Sequence, residues 1–243
     1  MERMLAELVG TALLVLMGNA VVAGVLLSRS KSQNAGWIVI AAGWGLALAL
    51  AVYAVGSISG AHLNPAITIG QLVVGGIEGG DAALYIIGQF IGAFVGAVLV
   101  WLHYLPHWGE TEDPGLKLAS FSTGPAIRNT PANLVAEAIG TFVLSFGVSA
   151  VLLPSNDVGP LAGLLIGGLL FAIGLSLGGP TGFAVNPARD LAPRIAHAIL
   201  PIGGKGDSDW AYAWIPVVGP IIGGVLGALT FQLLYGAGSP LGA

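Results

Sequence analysis

Long apolar stretches separated by short polar breaks organise this chain. Six of them, roughly 4–28, 36–56, 82–104, 132–153, 160–178 and 211–235, reach the length of about 20 residues at which a helix crosses a bilayer core. The breaks are "SRSKSQN" (28–34), "GGIEGGD" (75–81), "PHWGETEDPGLKLASFSTGPAIRNTP" (106–131), "LPSNDVGP" (153–160) and "GGKGDSD" (203–209). They read as loops rather than as linkers between domains, so one membrane domain is expected over 1–243. The start, "MERMLAELVGTALLVL", has the outline of a signal peptide, with Arg3 ahead of an apolar run. That run continues to about Leu27 and contains Glu7, so it is read as a retained first span.

Two apolar pieces remain, 64–74 and 186–200. At 1.5 Å per residue they reach about 16–22 Å, short of a hydrocarbon core of about 30 Å. Each opens on the same tripeptide, Asn64-Pro65-Ala66 and Asn186-Pro187-Ala188. Asn is a preferred N-cap, and Pro at the first helical position gives up no needed hydrogen bond. Half-helices starting near the membrane midplane are expected.

The chain also repeats itself. "AELVGTALLVLMG" (6–18) returns as "AEAIGTFVLSFG" (136–147), each copy followed later by its own Asn-Pro-Ala. Repeat one covers about 1–105, a linker about 106–131 and repeat two about 132–243. Three full spans per repeat is an odd number, so the second copy enters from the opposite face. Such inverted repeats place binding sites at their shared midplane. The fold class is therefore all-α membrane protein, with six transmembrane helices and two re-entrant half-helices.

Irregular backbone at membrane depth persists only if it is protein-buried or lines a wet cavity. The stretches before the half-helices, Gly60-Ala61-His62 and Gly182-Phe183-Ala184, are such backbone, and their carbonyls are expected to face water or a polar solute. Two helix N-termini, each carrying roughly half a positive charge, would then point at one spot beside Asn64 and Asn186. That focus repels cations and protons while neutral molecules pass.

Composition narrows the class. Hydrophobic residues make up 55% of the chain and charged residues only 8%, with a mean hydropathy of +0.87. The 39 glycines allow close helix packing. A net charge of −4 with eight Lys and Arg argues against a nucleic-acid partner. The absence of cysteine removes disulfides, thiolate metal sites and cysteine nucleophiles. Neither a metal nor a cofactor is implied, and His103, His107 and His197 read as interfacial. No H-E-x-x-H motif supports an enzyme.

The paired boxes, "SGAHLNPAITI", the repeated "AExxGT" and "NPARD" resemble the aquaporin family over nearly the whole chain. The resemblance implies a selectivity filter of Trp44, Gly174, Phe183 and Arg189. Trp44 matches a position with Trp in glycerol-conducting members and usually Phe in water-selective ones. Gly174 matches one that is usually His in water-selective members. Phe183 and Asp190 also follow the glycerol pattern. Without the resemblance, Arg189 also reads as a partner of adjacent Asp190 or a snorkelled interfacial residue, Trp44 as belt, Gly174 as packing and Phe183 as core.

The implied function is passive passage of glycerol, other small uncharged solutes and water. Dihydroxyacetone, urea, hydrogen peroxide and undissociated organic acids fall in that class. A homotetramer in the plasma membrane, with both termini in the cytoplasm, also follows from the family. Charge points the other way on orientation: Arg3 stands alone on the N-terminal side, against Arg29, Lys31, Lys117, Arg128 and Lys205 opposite. The more specific half-helix pattern is followed here.

Glu7 and Glu137 sit at equivalent places within spans. They read either as acceptors for N–H groups of the re-entrant loops or as a proton relay in a coupled transporter. His62 is expected to brace the first box. Tyr104, Trp108, Trp210, Tyr212 and Trp214 fall at span ends as belt residues. Alternatives are a water-selective channel of the same fold and an ion-coupled secondary transporter.

Overall fold

Six helices long and apolar enough to cross a membrane dominate residues 1–236, the part of the chain that the computed structural model describes. In chain order the helices are α1 (Glu2–Leu26), α2 (Trp37–Ser59), α3 (Pro65–Val73), α4 (Gly79–His103), α5 (His107–Glu110), α6 (Pro114–Ala119), α7 (Thr130–Val151), α8 (Ala162–Leu177), α9 (Pro187–Ile199) and α10 (Ile215–Tyr235). No strand occurs among the described residues. The spans are α1, α2, α4, α7, α8 with the 3-10 turn before it, and α10. Residues 237–243, counted above in the second repeat, lie outside the described residues. The last span starts at Ile215 rather than near 211, because Pro216 supplies the first-turn proline and residues 210–214 form a turn.

The short helices are the two half-helices. α3 has nine residues and α9 thirteen, about 14 and 20 Å long. An even number of crossings returns the end of α10 to the face where α1 begins.

The repeats pack the same way. Gly88, Gly92 and Gly96 set α4 directly on the backbone of α1 at Met4, Leu8 and Ala12. Gly219, Gly223 and Gly227 set α10 on α7 at Leu134, Ala138 and Phe142. The four-residue spacing puts each glycine trio on one helix face, so backbone meets backbone without side chains between. Gly45 on α2 and Gly167 on α8 each approach the other's carbonyl, a reciprocal contact between equivalent helices of the two repeats.

The linker differs from expectation. It is a folded cap carrying α5 and α6, and Trp108, Lys117, Ser120, Phe121, Ser122 and Thr123 are all buried. Asn19 of α1 donates 3.0 Å to the Phe121 carbonyl, and Lys117 donates to the Gly203 carbonyl. Two of the expected belt residues are therefore interior: Trp108 donates 2.9 Å to the Trp101 carbonyl, and Tyr212 is buried. His197 is also wholly buried rather than interfacial, edge-on to Phe121 and 2.9 Å from Ser208 Oγ. A polar loop covering an apolar helix end turns its own aromatics inward, which span-end position alone cannot reveal.

Candidate functional site

The half-helices meet N-terminus to N-terminus. Asn64 caps α3 by accepting 2.9 Å from the Ala66 N–H, and Asn186 caps α9 by accepting from Ala188 and Arg189 at 3.0 and 3.1 Å. Each amide then reaches across: Asn64 Nδ2 donates 2.7 Å to the Val185 carbonyl and Asn186 Nδ2 donates 2.8 Å to the Leu63 carbonyl. One residue type thus caps its own helix and ties the opposite approach strand. A primary amide carries two N–H hydrogens, so each Asn keeps a donor beyond the cross-tie. Pro65 and Pro187 occupy first-turn positions, whereas Ala66 and Ala188 are fully buried and do not border the central cavity.

The approach strands are held against their own preference. Gly60, Ala61 and Leu63 have φ of 78°, 52° and 53°, and Gly182, Phe183 and Val185 have 83°, 42° and 44°. Left-handed backbone costs a non-glycine residue roughly 1–2 kcal/mol. Two buried carboxylates oppose that cost. Glu7 accepts from the His62 and Leu63 N–H groups at 2.9 and 2.7 Å, and from Ser59 Oγ and Gln89 Nε2 at 2.6 and 2.7 Å. Glu137 accepts from the Ala184 and Val185 N–H groups at 3.0 and 2.9 Å. With those N–H groups engaged outward, the strands border the cavity between them.

That cavity, with the open solvent at its mouth included, holds about 640 Å³ of empty space. One side is backbone, Gly60–Leu63 and Phe183–Val185; the other is aliphatic, including Leu14, Leu48, Leu144 and Leu170. Gly182 and Gly174 do not border it. Gly182 instead donates 2.8 Å to the Gly178 carbonyl, and Gly174 lies behind Phe183, where an added Cβ would stand 3.0 Å from Phe183 Cζ. His62 borders the cavity with its Nδ1 3.1 Å from Thr68 Oγ1 and its ring edge-on to Tyr85.

Trp44, Phe183 and Arg189 also line the cavity. The Arg189 guanidinium lies 4.1 Å from the Trp44 ring centroid, a cation–π contact that holds a cation without neutralising it. Arg189 Nη1 and Trp44 Nε1 are buried donors with no protein partner among the described residues. Arg189 does not pair with Asp190. Asp190 Oδ2 accepts from Thr123 N–H and Oγ1 at 2.6 and 2.7 Å, while its Oδ1 accepts from Arg194 Nη2 at 2.8 Å.

A profile described as major intrinsic protein matches residues 1–231. The chain belongs to the major intrinsic protein family. This family member is 58% identical over 232 residues to a probable glycerol uptake facilitator protein of Thermotoga maritima, covering 95% of this chain and 98% of that one. It is 55% identical to a glycerol uptake facilitator protein of Bacillus subtilis, covering 94% and 83%. The crystal structure of an aquaglyceroporin from Plasmodium falciparum superposes with a TM-score of 0.83 at 27% identity, covering 95% of each chain. The protein is an integral membrane protein with the aquaporin-like fold.

Arg194, Thr123, Trp37 and Gly178 belong to the site's surroundings although no motif marked them. Arg194 follows Asp190 by four residues on α9, a spacing that pairs charges on one helix face. The other three are joined only by tertiary approach. Among the described residues no group of three or more His, Asp or Glu is placed to hold a metal ion.

Proposed function

We propose that the protein is a passive channel for glycerol, other small uncharged solutes and water. The carrying observation is that Trp44, Phe183 and Arg189 line the same central cavity as the backbone before both half-helices. Trp44 and Phe183 give aromatic surface to a polyol's carbon chain, while Arg189 Nη1 and the strand carbonyls serve its hydroxyls. The relatives' names, glycerol uptake facilitator and aquaglyceroporin, support the same reading. Trp44, Gly174, Phe183 and Arg189 form the selectivity filter in this proposal, with Gly174 supplying room for Phe183. Asn64 and Asn186 form the central constriction, where two half-helix N-termini and the Arg189 charge oppose cations and protons.

The channel accepts dihydroxyacetone, urea, hydrogen peroxide and undissociated organic acids in the same solute class, and it carries out no catalytic step. It works as a homotetramer in the plasma membrane with both termini cytoplasmic. The five cations on the opposite face do not argue strongly against that orientation, because at least four have local partners. Arg29 pairs with Glu110, Arg128 with Asp209, Lys117 donates to the Gly203 carbonyl, and Lys205 donates to the carbonyls of Ala198 and Leu200.

Stopped-flow light scattering on proteoliposomes under glycerol and water gradients tests the proposal. Glycerol permeability well above that of empty liposomes is expected, without accumulation against a gradient. Water flux without glycerol flux would select the water channel instead. The transporter reading has little support, since both candidate relay carboxylates are occupied by backbone donors.

A further inference from the structure

Trp37 begins α2, where a belt residue is expected, and 41% of it is exposed. Its ring nonetheless engages the interior. Nε1 donates 2.8 Å to the carbonyl of Gly174 in the last turn of α8. The indole meets Phe183 edge-on, with centroids 5.6 Å apart and planes at 80°. Trp37 therefore touches two residues of the proposed filter, one from each of two elements, without itself bordering the cavity.

Gly178 completes the arrangement. A Cβ there would come 2.6 Å from Phe183 Cδ1 and 2.7 Å from Trp37 Cζ2. Both rings thus lie directly on the end of α8. Phe183 needs such support, because its φ of 42° is one that an aromatic residue rarely adopts. Glu137 secures the N–H groups of Ala184 and Val185, the two residues after it, but neither bond fixes the Phe183 ring. Trp37 does, and its own ring is pinned by the bond to Gly174.

We propose that Trp37 is a positioning residue for solute selection, holding Phe183 at the constriction and so setting the width offered to polyols. The proposal rests on the filter reading above. Without the indole, the Phe183 ring gains space on the side away from the cavity. The constriction then widens and discrimination by solute length falls. The indole N–H and the ring edge act separately: the first fixes Trp37 to α8, the second fixes Phe183 to Trp37.

The test compares water, glycerol and the longer polyol erythritol in proteoliposomes of the wild type and four variants: Trp37→Leu, Trp37→Phe, Phe183→Ala and the Trp37→Leu/Phe183→Ala double. Loss of an edge-on aromatic contact should raise the erythritol-to-glycerol permeability ratio by about threefold in Trp37→Leu. Trp37→Phe keeps a ring but not the N–H, and gives a smaller rise. Because Trp37 acts through Phe183, Trp37→Leu should change the ratio no further once Phe183 is alanine. A wild-type ratio in Trp37→Leu, or an equal change with Phe183 absent, overturns the proposal while leaving the filter intact. An unchanged ratio in Phe183→Ala overturns the filter reading itself. If Trp37→Leu fails to reconstitute, Trp37→Phe decides: a raised ratio supports the role and a wild-type ratio removes it.

Discussion

Asp190 and Arg194 form an ion pair 2.8 Å apart, one turn along α9, with both side chains at 0% exposure. Charge burial of this kind is costly unless every remaining polar atom is bonded. Here it is put to use. Arg194 also donates to the Thr123 carbonyl at 2.7 Å and the Ser208 carbonyl at 2.8 Å, and Asp190 takes both donors of Thr123. The pair thereby fastens the linker and the loop after α9 to the half-helix that carries Arg189.

Removing one member of the pair strands the other in the interior. Asp190→Leu leaves Arg194 without its counter-charge and Thr123 without its acceptor. A loss of about 3–5 kcal/mol is expected. Thermal unfolding in detergent should show a large drop in midpoint, with reduced glycerol flux in whatever folds. Arg194→Leu should cost a similar amount, because it leaves the Asp190 charge uncompensated and the Thr123 and Ser208 carbonyls without their donor. A wild-type midpoint in either variant would contradict this account of the network.

The half-helices were legible because their signal is local: Asn-Pro at the start of a run too short to cross. Their bounds, Pro65–Val73 and Pro187–Ile199, fall within a residue of the expected 64–74 and 186–200. Trp108, Tyr212 and His197 were misread for one shared reason. Each sits at a span end or in a loop, and the side chain packed on its ring comes from outside its own element: Phe121 for Trp108 and His197, and Arg128 for Tyr212. Position along a span says how near a residue is to the membrane surface, but not whether another segment folds over it. A charge count has the same blind spot, since cations such as Arg128 and Lys205 serve loop structure whichever way the chain is oriented.

Glu7 and Glu137 should matter as acceptors rather than as titrating groups. Glu7→Gln replaces one carboxylate oxygen by an amide that confronts two existing donors, since each oxygen of Glu7 accepts two bonds. Each buried N–H left unpaired costs about 1–3 kcal/mol. Lower yield, a lower unfolding midpoint and reduced flux of every solute are expected, with the glycerol-to-water ratio unchanged. Flux that became uncoupled from a proton gradient in either Gln variant would instead favour a transporter.

The glycine seams predict a sharp contrast with a helical glycine that lies outside them. A Cβ at Gly223 would collide with the Ala138 carbonyl, whereas one at Gly168 meets nothing within 4 Å. Gly223→Ala must therefore push α10 from α7 and destabilise by about 1–3 kcal/mol, as overpacking does. Gly168→Ala should be neutral or stabilising by about 0.4–1 kcal/mol through the unfolded chain. Unfolding midpoints of the two variants, measured side by side in one detergent, check the pair.

The proposed filter makes the most demanding prediction, because two of its members share one space. A side chain at Gly174 would begin 3.0 Å from both Phe183 Cζ and Ala41 Cβ. Gly174→His alone therefore drives the Phe183 ring toward the cavity and lowers the flux of water and glycerol together. Combining it with Phe183→Cys frees that space and exchanges an aromatic wall for a polar imidazole. Water permeability should then recover while glycerol permeability stays well below the wild type, since the carbon chain has lost its apolar surface and Arg189 still serves hydroxyls. Stopped-flow measurements on the wild type, the single variants and the double variant test this in one series. Glycerol flux at the wild-type level in the double variant would mean that Gly174 and Phe183 do not set the selection.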